Sequence, residues 1–344
     1  MSDDFIRRLP KPELHVHLDG SLRPETLLEL AREVGLRIPA RDPEAVADFM
    51  RADESRDLED YLRRFEVTLA VLQSEPALER AAYELVLDAA AENTRYLEIR
   101  YSPVLNTRDG LTLDEVLDAS LRGMVRGMAE TGVRGGIVVC ALRSLSPEVS
   151  TALAELAVSY RGRGVVGFDL AGGEAGHPAR EHAEAFTVAA RGGVPRTVHA
   201  GEAWGPESIR EALVEGRAQR IGHGTRLQED PLLEEIIRDQ QIPVEVCLTS
   251  NLQTRVTASY AEHPLRRYYD LGIPVTICTD NRLVSGTTLV REYEAARDHL
   301  GFSGPELALL AWNGFKGAFL DWPARSTLLS AVAVEMEELG VPLP

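Results

Sequence analysis

Three polar residues at alternating positions, His15, His17 and Asp19, stand between the apolar Leu14, Val16 and Leu18. In a strand, side chains alternate between faces, so the two imidazoles and the carboxylate share one side. Positions two apart lie roughly 6.5–7 Å apart at Cα, close enough for both imidazoles to reach one metal ion. Further polar residues close later apolar runs: Asp169 before Gly172 and Gly173, His199-Ala-Gly-Glu202, His223 in Gly-His-Gly-Thr, and Thr279-Asp280-Asn281. Four of the eight histidines fall at such ends. Three neutral imidazoles and one carboxylate, His15, His17, His199 and Asp280, suit one divalent ion, favour zinc and leave a position for water. Such an ion makes a hydroxide nucleophile accessible near neutral pH. His223 then serves as base or electrostatic stabiliser, and Glu202 delivers a proton to a leaving group or ring nitrogen. The other histidines, His177, His182, His263 and His299, lie among charged residues and read as solvated surface.

The elements that must position these residues form a regular beat. Strand candidates begin at Glu13, Tyr96, Gly136, Val165, Arg196, Arg220, Pro243 and Pro274, and helical patterns follow each. Thr112 and Glu115 form a capping box for one such helix. Pro24 opens a helical insertion spanning 21–93 between the first two strands, and three extra helices close the chain. Eight β/α units predict an α/β fold, a (β/α)8 TIM-type barrel, in which strand C-terminal ends form the site. No Gly/Ser/Pro-rich linker cuts the chain, so one hydrolase domain over 1–344 is expected. A doubly wound sheet would want a glycine-rich phosphate loop after its first strand, where His-x-His stands instead. Glu98 and Arg100, on one face of the second strand, read as a buried polar network.

Composition narrows the partners. The 37 Lys and Arg against 54 Asp and Glu give a net charge of −17, which disfavours nucleic acid and anionic membrane surfaces. Met1-Ser2-Asp3-Asp4 lacks the apolar run of a secretion signal. Cys140, Cys247 and Cys278 are far apart in apolar segments and read as reduced core residues of a cytoplasmic protein. No Cys-x-x-Cys is present, which argues against cysteine-ligated zinc. Oligomeric state is not legible.

Pro10-Lys-Pro-Glu-Leu-His-Val-His-Leu-Asp-Gly20, His199-Ala-Gly-Glu202, Arg220-Ile-Gly-His-Gly224, Cys247-Leu-Thr-Ser-Asn251 and Thr279-Asp280 resemble the adenosine deaminase family of the amidohydrolase superfamily. The match runs in order over nearly the whole chain. It implies a (β/α)8 zinc hydrolase that converts a 6-aminopurine nucleoside to its 6-oxo form and ammonia. By position, it implies zinc on His15, His17, His199 and Asp280, and protonation of purine N1 by Glu202. It further implies that His223 and Asp280 orient and deprotonate the attacking water. Gly172 would give its N–H to N3, and Asp19 would accept a ribose hydroxyl. Leu58, Tyr61, Leu62 and Phe65 lie where the family has an apolar gate; ordinary helix core explains the same spacing.

Two positions depart from the family's pattern. Asn281 stands where a second Asp usually contacts N7; an amide donates to that acceptor without a pKa shift. Gly173 stands where Asp is common, with a local effect expected. Adenosine and deoxyadenosine are the first substrates expected, with adenine or a 5′-modified adenosine such as aminodeoxyfutalosine as alternatives. A different class, a mononuclear hydrolase of amide or ester bonds, uses the same barrel. Binuclear relatives often carry a bridging lysine on a mid-barrel strand, and no strand candidate contains one. A non-catalytic binding protein would be expected to have lost Glu202 or a zinc ligand.

Overall fold

The computed structural model describes residues 3–341; Met1 and Ser2 of the amino-terminal reading lie outside them. Eight strands alternate with helices: β1 (Lys11–His17), β2 (Thr94–Tyr101), β3 (Arg134–Leu142), β4 (Val165–Ala171), β5 (Thr197–Ala200), β6 (Arg220–His223), β7 (Val244–Val246) and β8 (Val275–Ile277). All pairings are parallel, in two runs, β1-β2-β3-β4 and β5-β6-β7-β8. Two isolated bridges join the runs, Phe168 with Arg196 and Val16 with Asp280. At the second seam the His17 N–H donates to Asp280 O at 2.7 Å, and the Asp280 N–H donates to His15 O at 2.9 Å. The sheet thus closes into the expected barrel, and its closing hydrogen bonds tie two candidate ligand segments together.

The sequence signals act locally as expected. Apolar runs such as Ile137–Ala141 are buried on both faces, as parallel strands under helices must be. The capping box at Thr112 and Glu115 forms. Five helices, from Pro24–Glu33 to Glu75–Ala91, lie between β1 and β2, and three follow β8. The Leu58–Leu72 periodicity breaks at Arg63-Arg64 into two short helices, Leu58–Leu62 and Phe65–Val71.

Three expectations change. β1 starts at Lys11 and stops at His17, so Asp19 sits in the following loop. A lysine therefore does occupy a strand, but Lys11 Nζ donates to the carbonyls of Ile6 (2.8 Å) and Leu9 (2.7 Å), at the strand's opening end and away from the histidines. His182 and His263 are buried rather than solvated. Each fills a hydrogen-bonding slot under a helix: His182 Nδ1 meets Ser150 Oγ at 2.8 Å, and His263 bonds Asn251. His177 and His299 are exposed, as expected. All three cysteines are buried and free.

Candidate active site

The strand ends converge as a (β/α)8 barrel requires. Atoms of His15, His199, His223 and Asp280 lie within 4.8 Å of one another. His17 joins them, its Nε2 at 3.2 Å from His199 Nε2 and 3.4 Å from Asp280 Oδ1. Five groups thus compete for the four positions inferred from sequence. The hydrogen bonds on their far sides separate them.

His15 Nδ1 donates to Glu245 Oε2 at 2.9 Å, which leaves Nε2 as a lone pair, and this buried atom has no hydrogen-bond partner. His199 Nδ1 lies 3.0 Å from Asp169 Oδ2, so its Nε2 also faces inward as a lone pair. His17 Nε2 lies 3.2 Å from that lone pair, so the two nitrogens meet through the His17 proton or through a shared cation. Burial lowers the pKa of both rings, so they stand neutral. At His15, burial also disfavours charge but is outweighed by the Glu245 bond and the Asp280 carboxylate 3.4 Å from Nε2. Asp280 is buried too, yet the His15 bond and the neighbouring imidazoles hold it well below the usual carboxylate range. Ser250 Oγ donates to its Oδ2 at 2.6 Å.

His223 is wired in the opposite sense. The Leu265 N–H donates to His263 Nδ1 at 3.1 Å. Burial drives the His263 pKa down to about 3, so its one proton is on Nε2. That N–H and the Thr225 hydroxyl both donate to Asn251 Oδ1, at 3.1 and 3.0 Å. The Asn251 amide nitrogen must then donate to His223 Nδ1, at 3.0 Å. Burial keeps His223 neutral, so its proton is on Nε2, which points inward as a donor. An N–H is not a metal lone pair, which sets His223 apart from His15 and His199.

Glu202 lies 3.6 Å from His223 Nε2. Burial, then the charges of Asp280 and Glu174, push its pKa well above the usual carboxyl range, so it carries a proton. Glu174 anchors the loop that holds it. One carboxylate oxygen accepts the Gly201 N–H at 2.7 Å; the other accepts those of Glu202, Ala203 and Trp204 at 3.0, 2.6 and 2.8 Å.

Local backbone form places these groups. His223 and Asp280 both adopt φ of 62°, a left-handed conformation that non-glycine residues rarely take and that clusters at functional sites. Gly222 admits the His15 ring: a Cβ there would meet its Cε1 at 3.1 Å. Beneath the site, Arg100 donates to Asp169 at 2.8 Å and to Glu245 at 2.9 Å, so one guanidinium braces both carboxylates that orient imidazoles. Arg220 links Glu245 (2.6 Å) to Glu98. The network expected for Glu98 and Arg100 is present, and it carries the site.

A cavity of about 250 Å³ opens over the cluster. His17, Asp19, Gly172, Glu202, His223, Asp280 and Asn281 line it, with Leu58, Tyr61, Leu62 and Phe65 over the opening. Every contact residue named from sequence therefore reaches one space. Burial pushes the Asp19 carboxyl up to about 7. At Gly173 the Glu59 carboxylate of the Leu58–Leu62 helix fills the room a side chain would take, 2.2 Å from a Cβ built there. Among the described residues, no Arg or Lys lines the cavity. Sequence reasoning missed Glu245, Glu174 and His263. Only the odd placement of a glutamate inside Val244-Glu-Val246 marks the first of them.

A closed (β/α)8 barrel with inward imidazoles and a carboxylate at its strand ends defines an amidohydrolase, here an aminohydrolase. The sequence profile of the family described as adenosine deaminase matches residues 10–335. The chain belongs to the adenosine deaminase family. A curated adenosine deaminase of Mycolicibacterium vanbaalenii is 41% identical over 96% of this chain and 95% of its own. One from Clostridium kluyveri is 37% identical, covering 92% and 91%. A probable adenosine deaminase of Dictyostelium discoideum is 41% identical over 94% of this chain, which spans 42% of that longer protein. Among solved structures, an adenine deaminase from Arthrobacter aurescens superposes with a TM-score of 0.89 at 28% identity, covering 96% and 99%. An N6-methyl-AMP deaminase from Arabidopsis thaliana gives 0.86 at 28%, covering 98% and 100%. The family is metal-dependent, and the cluster of histidines and Asp280 fits that chemistry. Among the described residues, no helix is long and apolar enough to cross a membrane.

Proposed function

We propose that this chain hydrolyses the exocyclic amine of adenosine or deoxyadenosine, giving the 6-oxo nucleoside and ammonia. The observation that carries the reading is a buried, protonated Glu202 facing an inward N–H of His223. Water attack at C6 needs a proton delivered to N1 and a donor for the oxygen added at C6; these two groups supply them. Asp280, held ionised, accepts the proton of the attacking water.

His15, His17, His199 and Asp280 would hold one zinc ion: the unpartnered His15 Nε2, the inward lone pair of His199 and the His17 Nε2 beside it fit a cation. When bound, zinc supplies the Lewis acidity that lowers a water's pKa from about 15.7 toward about 7. Glu245 and Asp169 hold the His15 and His199 rings to that task. The Gly172 N–H is the donor for N3, Asp19 the acceptor for a ribose hydroxyl, and Asn281 the donor for N7. Leu58, Leu62 and Phe65 cover the ring and exclude water.

A nucleotide is disfavoured. Asp19 and Glu59 line the cavity with no cation among the described lining residues, so a 5′-phosphate would meet uncompensated carboxylates. Adenine and 5′-extended adenosines remain the alternatives. The test is an absorbance screen of adenine, adenosine, AMP and 5′-extended adenosines, with metal analysis on the same sample. Adenosine is expected to turn over fastest and AMP least. Inertness toward all four by protein carrying one zinc per chain would refute the reading.

A further inference from the structure

Among the gate residues Leu58, Tyr61, Leu62 and Phe65, Tyr61 alone carries a polar group, a hydroxyl buried between two partners. Ser285 Oγ lies at 2.8 Å and Asn281 Nδ2 at 2.9 Å. Asn281 is buried as well, and its Oδ1 has no hydrogen-bond partner among the described residues. That oxygen lies against Gly20, where a Cβ would come within 1.8 Å of it.

A carboxamide carries one acceptor oxygen and two N–H donors. Here the oxygen packs on the bare Cα of Gly20 and one N–H goes to Tyr61. Turning the amide over would give Tyr61 the oxygen but press two donors on a CH2 group that accepts nothing. Two orphaned N–H groups cost more than one orphaned oxygen, so the observed orientation is the favoured one. Because the Tyr61 oxygen accepts from Asn281, its own proton points away from the amide, and Ser285 Oγ at 2.8 Å is in reach of it. The second N–H of Asn281 is left for whatever enters the cavity, which Asn281 lines.

We propose that Tyr61 is the positioning residue that fixes Asn281 as a donor toward the cavity, and so sets the preference for a ligand with an acceptor at the purine N7 position. This rests on the proposed reading of Asn281 as the N7 contact. An aspartate at this position donates only when protonated. An asparagine donates at any pH but has two orientations, and the tyrosine hydroxyl selects one.

The test uses two adenosine analogues without N1, which the proposed reaction cannot protonate and so does not consume: 1-deazaadenosine and 1,7-dideazaadenosine. Their affinities for the zinc-loaded enzyme are measured by titration calorimetry. The natural chain is expected to prefer the ligand that retains N7 by roughly tenfold. In Tyr61→Phe the ratio falls to within about twofold, the loss falling chiefly on the ligand that retains N7. Should Tyr61→Phe fail to fold, Ser285→Ala removes the acceptor that directs the tyrosine proton away from Asn281, and the ratio falls in the same direction. A ratio preserved in the folded variant, or equal weakening of both ligands as a plain gate residue would give, overturns the proposal. No preference in the natural chain removes the N7 contact and the proposal with it. Adenosine turnover by the same sample then leaves the proposed reaction standing.

Discussion

Glu174 touches no reacting atom, yet replacing it by Gln should disable the enzyme. Its two oxygens accept four backbone N–H groups from Gly201 to Trp204, the loop that carries Glu202. A glutamine keeps one oxygen. The better rotamer aims it at the three donors that share one oxygen now and sets an NH2 group against the Gly201 N–H. That donor loses its partner, at about 1–3 kcal/mol, and three charge-assisted bonds become neutral ones of about half the strength. The Trp204 side of the loop is half exposed, so water recovers part of this, and about 3 kcal/mol of local stability is the expected loss. Displacing an acid by about 1 Å costs about a hundredfold in rate, so kcat should fall between tenfold and a hundredfold while zinc content holds. The charge also matters. Protonated Glu202 is the active form, so activity falls as pH rises through its pKa. Removing the Glu174 charge, which helps raise that pKa, should move the alkaline limb to lower pH. Steady-state kinetics across pH, with hydrogen exchange at the amides of residues 201–204, measures both effects. A kcat within about twofold of the natural chain, with unchanged exchange, would refute the anchoring role.

Glu202→Gln should leave zinc content and ligand affinity intact and lower turnover by about two orders of magnitude or more, as stopped-flow assay would record; undiminished turnover rejects the acid role. Removing the metal with a chelator should abolish activity and lower the thermal midpoint, with both restored by one zinc per chain; an active chelated protein contradicts the site. Glu245→Gln deprives His15 Nδ1 of its charged acceptor and should weaken metal binding by about 10–100-fold in chelator competition. Asp19 accepts a hydroxyl more strongly as a carboxylate than as a neutral acid, and burial pushes its pKa up to about 7. Preference for adenosine over adenine should therefore grow between about pH 6 and about pH 8 and be flat in Asp19→Asn, as kcat/KM ratios will report. The same group works oppositely on stability: a raised carboxyl pKa favours the folded state at acid pH, and that contribution fades as pH rises through about 7.

The barrel was legible because its strands are apolar runs broken by proline- and glycine-marked turns, and because five of the eight runs carry polar residues at or near their ends, where a site accounts for them. His15, His199, His223 and Asp280 were visible for that reason. What lay beneath them was less so. Glu245 pairs with Arg100 and Arg220 across 145 and 25 positions of sequence, and no local period encodes such a contact. His263 sits among polar residues and reads as surface until the fold buries it under Asn251. The left-handed backbone at His223 and Asp280 leaves no mark in residue type, since neither is glycine. Tyr61 joined an apolar stripe whose spacing fits either core or gate, and its hydroxyl acquired meaning only beside Asn281.

The charges beneath the cluster also indicate what kind of ion it fits. Asp169, Glu245 and Asp280 are buried together with Arg100, Arg220 and the His15 ring against them. Hydrogen bonds and ion pairs hold the three carboxyls ionised, while burial keeps His17, His199 and His223 uncharged. Uncompensated negative charge is costly in a low-dielectric interior, so the cluster favours a cation. Arg100 therefore has two functions that a hydrophobic replacement could not combine. It fixes the carboxylates that aim His15 and His199, and it offsets part of their negative charge.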